Sequence, residues 1–213
     1  MDTDLLTLVV ETNRRGRRIT AGKLTGQKPA LKMKEVWAIR ARLELGCRVR
    51  DLALFNLAID SKLRGCDLVA LKAEDVMAAG EVKSRGVVIQ KKTGRPVQFE
   101  ITHQTRVSVA DQIARRRLKP ADFLFPSRME CSPHLSTRQY ARIVQGWVSS
   151  IGLYPATYGT HSLRRTKAAL IYRKTGNLRA VQLLLGHTKL ESTVRYLGVE
   201  VDDALAISEQ VDL

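Results

Sequence analysis

Between Thr160 and Gly198 the chain reads THSLRRTK and then, from Leu184, LLGHTKLESTVRYLG. A short span therefore holds a His-x-x-Arg pair (His161 and Arg164), a Leu-Gly-His turn at 185–187, and Tyr196 nine residues beyond His187. Cations, two imidazoles and a phenol are the groups needed to break a phosphodiester by covalent attack. A tyrosine can supply a nucleophile that becomes esterified to phosphorus. Arginine meets non-bridging phosphate oxygens in a bidentate fork. Imidazole moves protons or donates hydrogen bonds near neutral pH. Each residue taken singly has a plainer reading: an exposed polar stripe, an ordinary helix end, a surface tyrosine. Their joint occurrence favours chemistry.

Helices must position these groups. His161 and Arg164 are three apart, so a helix puts them on one face. It is expected over 161–175 and to stop at Gly176; the next, over 177–185, stops at Gly186, and a short one over 190–197 carries Tyr196. Upstream, Val36, Ile39 and Leu43 recur at helical spacing up to Gly46. Residues 50–61 give a more apolar, central helix, and a short helix carries Asp67, Leu68 and Leu71. The middle changes to strand patterns at 75–77, 86–90 and 96–101. The last two are joined by Lys91-Lys92-Thr93-Gly94-Arg95, where Gly94 can take the positive φ of a tight turn. A basic helix over 105–118 ends in Arg115, Arg116 and Arg117, residues 122–126 form a buried connector, and Ser136 or Thr137 caps a helix to about 151. The expected class is mainly α with a small antiparallel β-sheet.

The formal charge of +15 and pI near 10.2 over 213 residues call for a polyanionic partner. From Arg14 to Arg50 twelve lysines and arginines face two acids, whereas Glu200, Asp202, Asp203, Glu209 and Asp212 follow Tyr196 with no basic residue. Three cysteines (Cys47, Cys66, Cys131) without a C-x-x-C make a disulfide framework or zinc site improbable and point to a reducing compartment. Neither a secretory leader nor a bilayer-spanning stretch is evident. A cytoplasmic, bacterial, nucleoid-associated protein is expected.

The residues in chain order resemble the tyrosine recombinase (phage integrase) family, whose signature is Arg, Lys, His-x-x-Arg, His and Tyr. LRGCDLVAL at 63–71 is similar to its first arginine segment, with Asp67 where Glu is commoner and Lys62 where Gly is frequent. KKTGRP at 91–96 resembles its hairpin lysine pattern. The resemblance, from about Leu31 to Tyr196, implies a catalytic set of Arg64, Lys92, His161, Arg164, His187 and Tyr196, with Lys91 the alternative to Lys92. It assigns Asp67 to orienting an arginine and leaves Thr160 and Arg165 in variable positions. It implies a site-specific DNA recombinase working through a 3′-phosphotyrosine, without cofactor or metal, on double-stranded DNA. A tetramer in synapsis, accessory DNA-binding proteins or other recombinase subunits are the further partners implied; no membrane is.

The expected organisation is a basic arm or linker over 1–28, a catalytic domain over 29–198 and an acidic tail over 199–213 that docks on a neighbouring protomer. Twenty-eight residues are too few for the helical DNA-clamping domain of longer relatives, so short, single-domain members are the nearer resemblance. Arg14, Arg15, Arg17, Arg18 and Lys91 are the expected DNA contacts. The alternative function is an inactive DNA-binding regulator derived from a recombinase, but such a chain would be expected to lack one of Arg64, His161, Arg164 or Tyr196. An RNA-binding protein would need no such series and would carry stacking aromatics. A type IB topoisomerase shares the chemistry, but such relatives are usually longer.

Overall fold

The computed structural model describes residues 27–128, 132–198 and 209, which form nine helices and four short strands. The expected contacts Arg14, Arg15, Arg17 and Arg18, the arm before residue 27, Cys131 and nearly all of the acidic tail lie outside the described residues. Among those described, no helix is long and apolar enough to cross a membrane.

The core is built around one helix. α2 (Val49–Ser61) is buried along its whole apolar run, with Ala53, Leu54, Phe55 and Leu57 all at 0% exposure. Four such side chains removed from water contribute about 1.5–3 kcal/mol each where they are large. α1 (Met33–Leu45) lays Val36, Ile39 and Leu43 against it, one stripe at 3.6-residue spacing. α1 starts where Glu35 turns back to accept from the Lys32 N–H at 2.8 Å, and ends at Gly46. α5 (His103–Arg116) and α7 (Thr160–Thr175) pack on other sides of α2, and α6 (Thr137–Ser150) brings Trp147 edge-on to Phe55, ring centroids 5.4 Å apart. Ser136 caps α6 by accepting from the Gln139 N–H at 3.1 Å, as expected from the sequence.

The sheet is smaller and more divided than expected. Residues 75–77 do not form one strand of a three-stranded sheet. Ala73–Val76 is a single helical turn, α4, after the short α3 (Gly65–Val69), and only Met77–Ala78 (β1) pairs with Glu81–Val82 (β2). Asp75 explains the turn: its carboxylate accepts from the Lys72 N–H at 2.8 Å, the local bond that favours a helix start over a strand. The main hairpin is separate. β3 (Arg85–Ile89) and β4 (Pro96–Glu100) pair antiparallel with Val88 opposite Val97, and Gly94 (φ +64) closes the loop by donating to the Gln90 carbonyl at 2.8 Å.

α8 (Leu178–Leu185) and α9 (Leu190–Leu197) form a second, smaller apolar cluster with α7. Its buried residues are Ala168, Val181 and Leu185, with Tyr172, Tyr196 and Leu197 packed on them. Asn177 caps α8 by accepting from the Ala180 N–H at 2.8 Å. Gly186 (φ +63) ends it, and a Cβ there would lie 2.5 Å from Val97 Cγ2. Only glycine lets the end of α8 touch the hairpin.

The joints among α2, β4 and α7 are ionic. Asp60 receives Lys167 Nζ at 2.7 Å on one oxygen, and Thr102 N–H, Thr102 Oγ1 and Thr105 Oγ1 at 2.9, 2.6 and 2.6 Å on the other. Lys62, its side chain wholly buried, reaches Glu100 at 2.7 Å, and Glu100 also meets Lys167 at 2.7 Å. Lys62 takes the left-handed φ of +53 at the end of α2, the conformation glycine adopts most easily, yet its side chain is tied into this quartet. Arg64 and Arg164 follow directly from that arrangement, two residues past Lys62 and three before Lys167.

Candidate active site

Five elements converge at one end of α2: the α2–α3 junction (Arg64), the β3–β4 loop (Gln90 to Gly94), the start of α7 (His161, Arg164, Arg165), the end of α8 (Leu185 to His187) and α9 (Tyr196). Arg164 is 2% exposed and donates from Nη2 to the Leu185 carbonyl at 2.7 Å, while its buried Nε has no partner. Arg64 donates from Nη1 to Gln90 Oε1. Gln90, itself 1% exposed, sends its amide Nε2 to the same Leu185 carbonyl at 3.4 Å. The C-terminal carbonyl of α8 is thus a shared acceptor, and a helix C-terminus favours cations. Neither guanidinium meets a carboxylate among the described residues.

The ring of Tyr196 is half-buried and flanked by three side chains. The Arg165 guanidinium carbon stands 4.7 Å from its centroid and that of Arg164 5.7 Å. His187 meets it edge-on, centroids 5.4 Å apart and planes at 84°. The phenol donates to the backbone carbonyl of His161 at 3.3 Å, not to that residue's imidazole. His187 Nδ1 lies 3.1 Å from the hydroxyl of Thr193, which is 0% exposed. With Nδ1 accepting from that hydroxyl, the imidazole proton sits on Nε2, where it can be donated outward.

The electrostatics follow from burial amid like charges. Burial lowers the Arg164 guanidinium to about 10; Tyr196 opposes the shift and Arg64 adds to it. His187 is pushed down to about 4 by burial, then by Arg164 and Arg64. His161 is lowered by burial and then by Arg164, Arg165, Arg64 and Lys92, so both imidazoles are neutral at pH 7. Burial raises the Tyr196 phenol, while Arg164, Arg165 and Arg64 pull it back. Every cation here favours an added anion.

Of the residues expected from sequence, Arg64, Arg164, His161, His187 and Tyr196 stand together. Lys92, exposed at the hairpin tip, lies close enough for its charge to act on His161. Lys91 turns instead to a cavity of about 470 Å³ lined by Cys66, Asp67, Leu71 and Val87. Asp67 makes no hydrogen bond to an arginine among the described residues, although its charge acts on Arg164. One of its oxygens accepts from the Lys91 N–H at 2.9 Å, and the other is buried with no partner. It pins the hairpin to α3 because Lys91's backbone, rather than a guanidinium, fills the space beside it. Arg115 and Arg116 gather with Arg48, Arg50 and Arg128 around the other end of α2, a helix length of about 20 Å away.

Sequence reasoning did not single out Gln90, Thr193 or Arg165. Thr193 carried a signal: Leu190, Thr193, Val194 and Leu197 fall at i, i+3, i+4 and i+7, so one hydroxyl belongs to the apolar face of α9. Gln90 carried none, since its partners lie 26 and 95 residues away.

Comparison with known proteins is consistent with this geometry. The phage integrase family model matches residues 30–202. The chain is 28% identical over 157 residues to the probable integrase/recombinase YoeC of Bacillus subtilis (strain 168), covering 74% of this chain and 82% of that one. It is 26% identical over 167 residues to the tyrosine recombinase XerC of Syntrophus aciditrophicus (strain SB), covering 76% of this chain but only about half, 53%, of the relative. The crystal structure of XerA recombinase superposes with a TM-score of 0.70 at 19% identity, over 87% of this chain and 65% of that one.

Proposed function

This chain belongs to the phage integrase family and has the fold of its catalytic domains, and we propose that it is a site-specific DNA recombinase acting through a 3′-phosphotyrosine. Tyr196 Oη attacks a backbone phosphorus. The new O–P bond forms as the bond from phosphorus to the 5′-oxygen breaks, leaving the 3′ end esterified to the enzyme and a free 5′-hydroxyl. Arg64 and Arg164 hold the non-bridging oxygens and stabilise the charge of the five-coordinate transition state. His187, with Thr193 behind it, donates a further hydrogen bond. His161 takes the phenolic proton once the hydroxyl leaves the His161 carbonyl, and Lys92 protonates the departing 5′-oxygen. Attack by a second 5′-hydroxyl reverses the steps on a new partner strand, and the energy of the broken bond is kept in the ester.

One observation carries the reading: a phenol ring boxed by Arg164, Arg165 and His187, all from the same chain. A pure binding module has no use for a half-buried phenol among uncompensated cations. Double-stranded DNA is the substrate that the charge of +15 supports, gripped first through phosphates and therefore strongly salt-dependent. The catalytic domain is taken as 29–198. Arg14, Arg15, Arg17, Arg18 and Lys91 serve as backbone contacts, and the acidic residues after 198 dock on a neighbouring protomer in a tetrameric synapse.

The test is incubation with a nicked suicide site in the absence of magnesium. A covalent protein–DNA complex should form with the natural chain and vanish in Tyr196→Phe. Specific DNA binding with no covalent product under any salt or pH would leave a regulator and overturn the proposal.

A further inference from the structure

Arg165 has no part in the steps above, yet it is the cation nearest the phenol ring. It is 7% exposed, its guanidinium carbon is 4.7 Å from the Tyr196 centroid, and its buried Nε has no partner. Its Nη1 donates to the backbone carbonyl of Lys28. A guanidinium can do both at once, because its face attracts a π-cloud while its in-plane N–H groups donate sideways. An ammonium has no such division.

The segment holding Lys28 is stitched to both sides of the nucleophile. Gln27 Nε2 donates to the carbonyl of Arg195, the residue before Tyr196. Lys28 Nζ donates to the Ala156 carbonyl in the turn ahead of α7. The Leu31 N–H donates to Thr166 Oγ1 at 3.0 Å, one residue past Arg165. Residues 27–31 therefore run as a strap across α7 and α9, and Arg165 is the point where strap and phenol meet.

We propose that Arg165 is a positioning residue for Tyr196, holding the ring by its face and the strap by its edge, so that the poise of the nucleophile depends on how residues 27–31 are seated. The inference rests on Tyr196 being the nucleophile. Whatever displaces the strap, including tension on the chain before residue 27, loosens the ring without touching the phosphate-binding arginines.

The experiment uses the full chain labelled with 3-fluorotyrosine, the Tyr196 resonance being assigned by its loss in Tyr196→Phe. Fluorine NMR gives the titration midpoint of that phenol, and single-turnover assays on a nicked site give the rate of covalent-complex formation. Arg165→Gln should move the midpoint to higher pH and slow the rate about tenfold or more, the scale of a misplaced reacting group. Arg165→Lys should restore the midpoint but not the rate, since charge returns without the fork. Gln27→Ala should slow the rate severalfold with the midpoint unmoved. A midpoint and rate in Arg165→Gln equal to the natural chain's would overturn the proposal. If that variant fails to fold, Arg165→Lys decides, and a natural rate there overturns it. A midpoint that moves in a protein forming no covalent complex would sink the recombinase reading and leave the contact between Arg165 and Tyr196 standing.

Discussion

Two charge clusters share the same two segments of chain and are built in opposite ways. In the quartet, Lys62 and Lys167 face Asp60 and Glu100, and the joining distances are all 2.7 Å. In the site, Arg64, Arg164, Arg165 and the His187 imidazole find only carbonyl, amide and hydroxyl oxygens. On α7 the contrast falls within one turn: Lys167 is raised by its carboxylate partners against the cost of burial, whereas Arg164, with no carboxylate bonded to it, is lowered to about 10 by burial, Arg64 adding to the shift. Paired charges stiffen a joint. Unpaired ones raise the free energy of the empty protein and recover it when an anion arrives.

The sharpest break of that contrast is Arg164→Met. It should lower the single-turnover rate of covalent-complex formation by about a thousandfold, as for loss of a preorganised charge-stabilising donor, while thermal stability stays level or rises. A fall in melting temperature as large as that in the quartet variants would mean both clusters are structural. Asp60→Ala is the counterpart. Lys167, Thr102 and Thr105 lose their common acceptor, and urea denaturation should show a loss of about 3–5 kcal/mol. A loss under 1 kcal/mol would show that the quartet is not the joint described here.

Lys92→Ala should slow cleavage about a hundredfold, the usual worth of a general acid, and Lys91→Ala much less. A 5′-bridging phosphorothiolate, whose leaving group needs no proton, should rescue the first. Gly186→Ala should cost about 1–2 kcal/mol, combining a strained φ with contact against Val97, measured by thermal unfolding. A further break lies in pH. His187 titrates near 4 when folded against 6.5 for a free imidazole. Its folded value is depressed, so the unfolded chain takes up the proton first. Its contribution to stability is present above 6.5 and is lost as pH falls toward 4. The quartet's carboxylates, Asp60 and Glu100, are also held low, and their contribution fades only as pH drops through and below their ordinary values of 3.8 and 4.5. Inorganic phosphate should raise the His187 midpoint in histidine NMR; an unmoved midpoint would argue that the site does not gather anions.

Much of this was legible in the sequence where the cause was local. Ser136 as a cap, Gly46, Gly176 and Gly186 as stops, and the hairpin turn at Gly94 all act on neighbours within a few residues. The residue types of the site were legible because spacing along two helices carried them. What stayed hidden depends on distant partners. Lys62 read as a residue standing where glycine is frequent, yet its role comes from Glu100. Asp75 read as strand because the run into Met77 is apolar, while its carboxylate starts a helical turn. Asp67 read as a support for an arginine; its charge acts on Arg164, but its hydrogen bond goes to the hairpin backbone, which no local spacing announces.

The Leu185 carbonyl has a further consequence. It receives Arg164 directly and, through Gln90, steadies Arg64. The same stretch of chain continues eleven residues to Tyr196, over a patch whose fully buried apolar residues, among those described, are Ala168, Val181 and Leu185. A small shift of that thinly anchored corner would therefore slacken the grip on the substrate and withdraw the attacking oxygen in one movement.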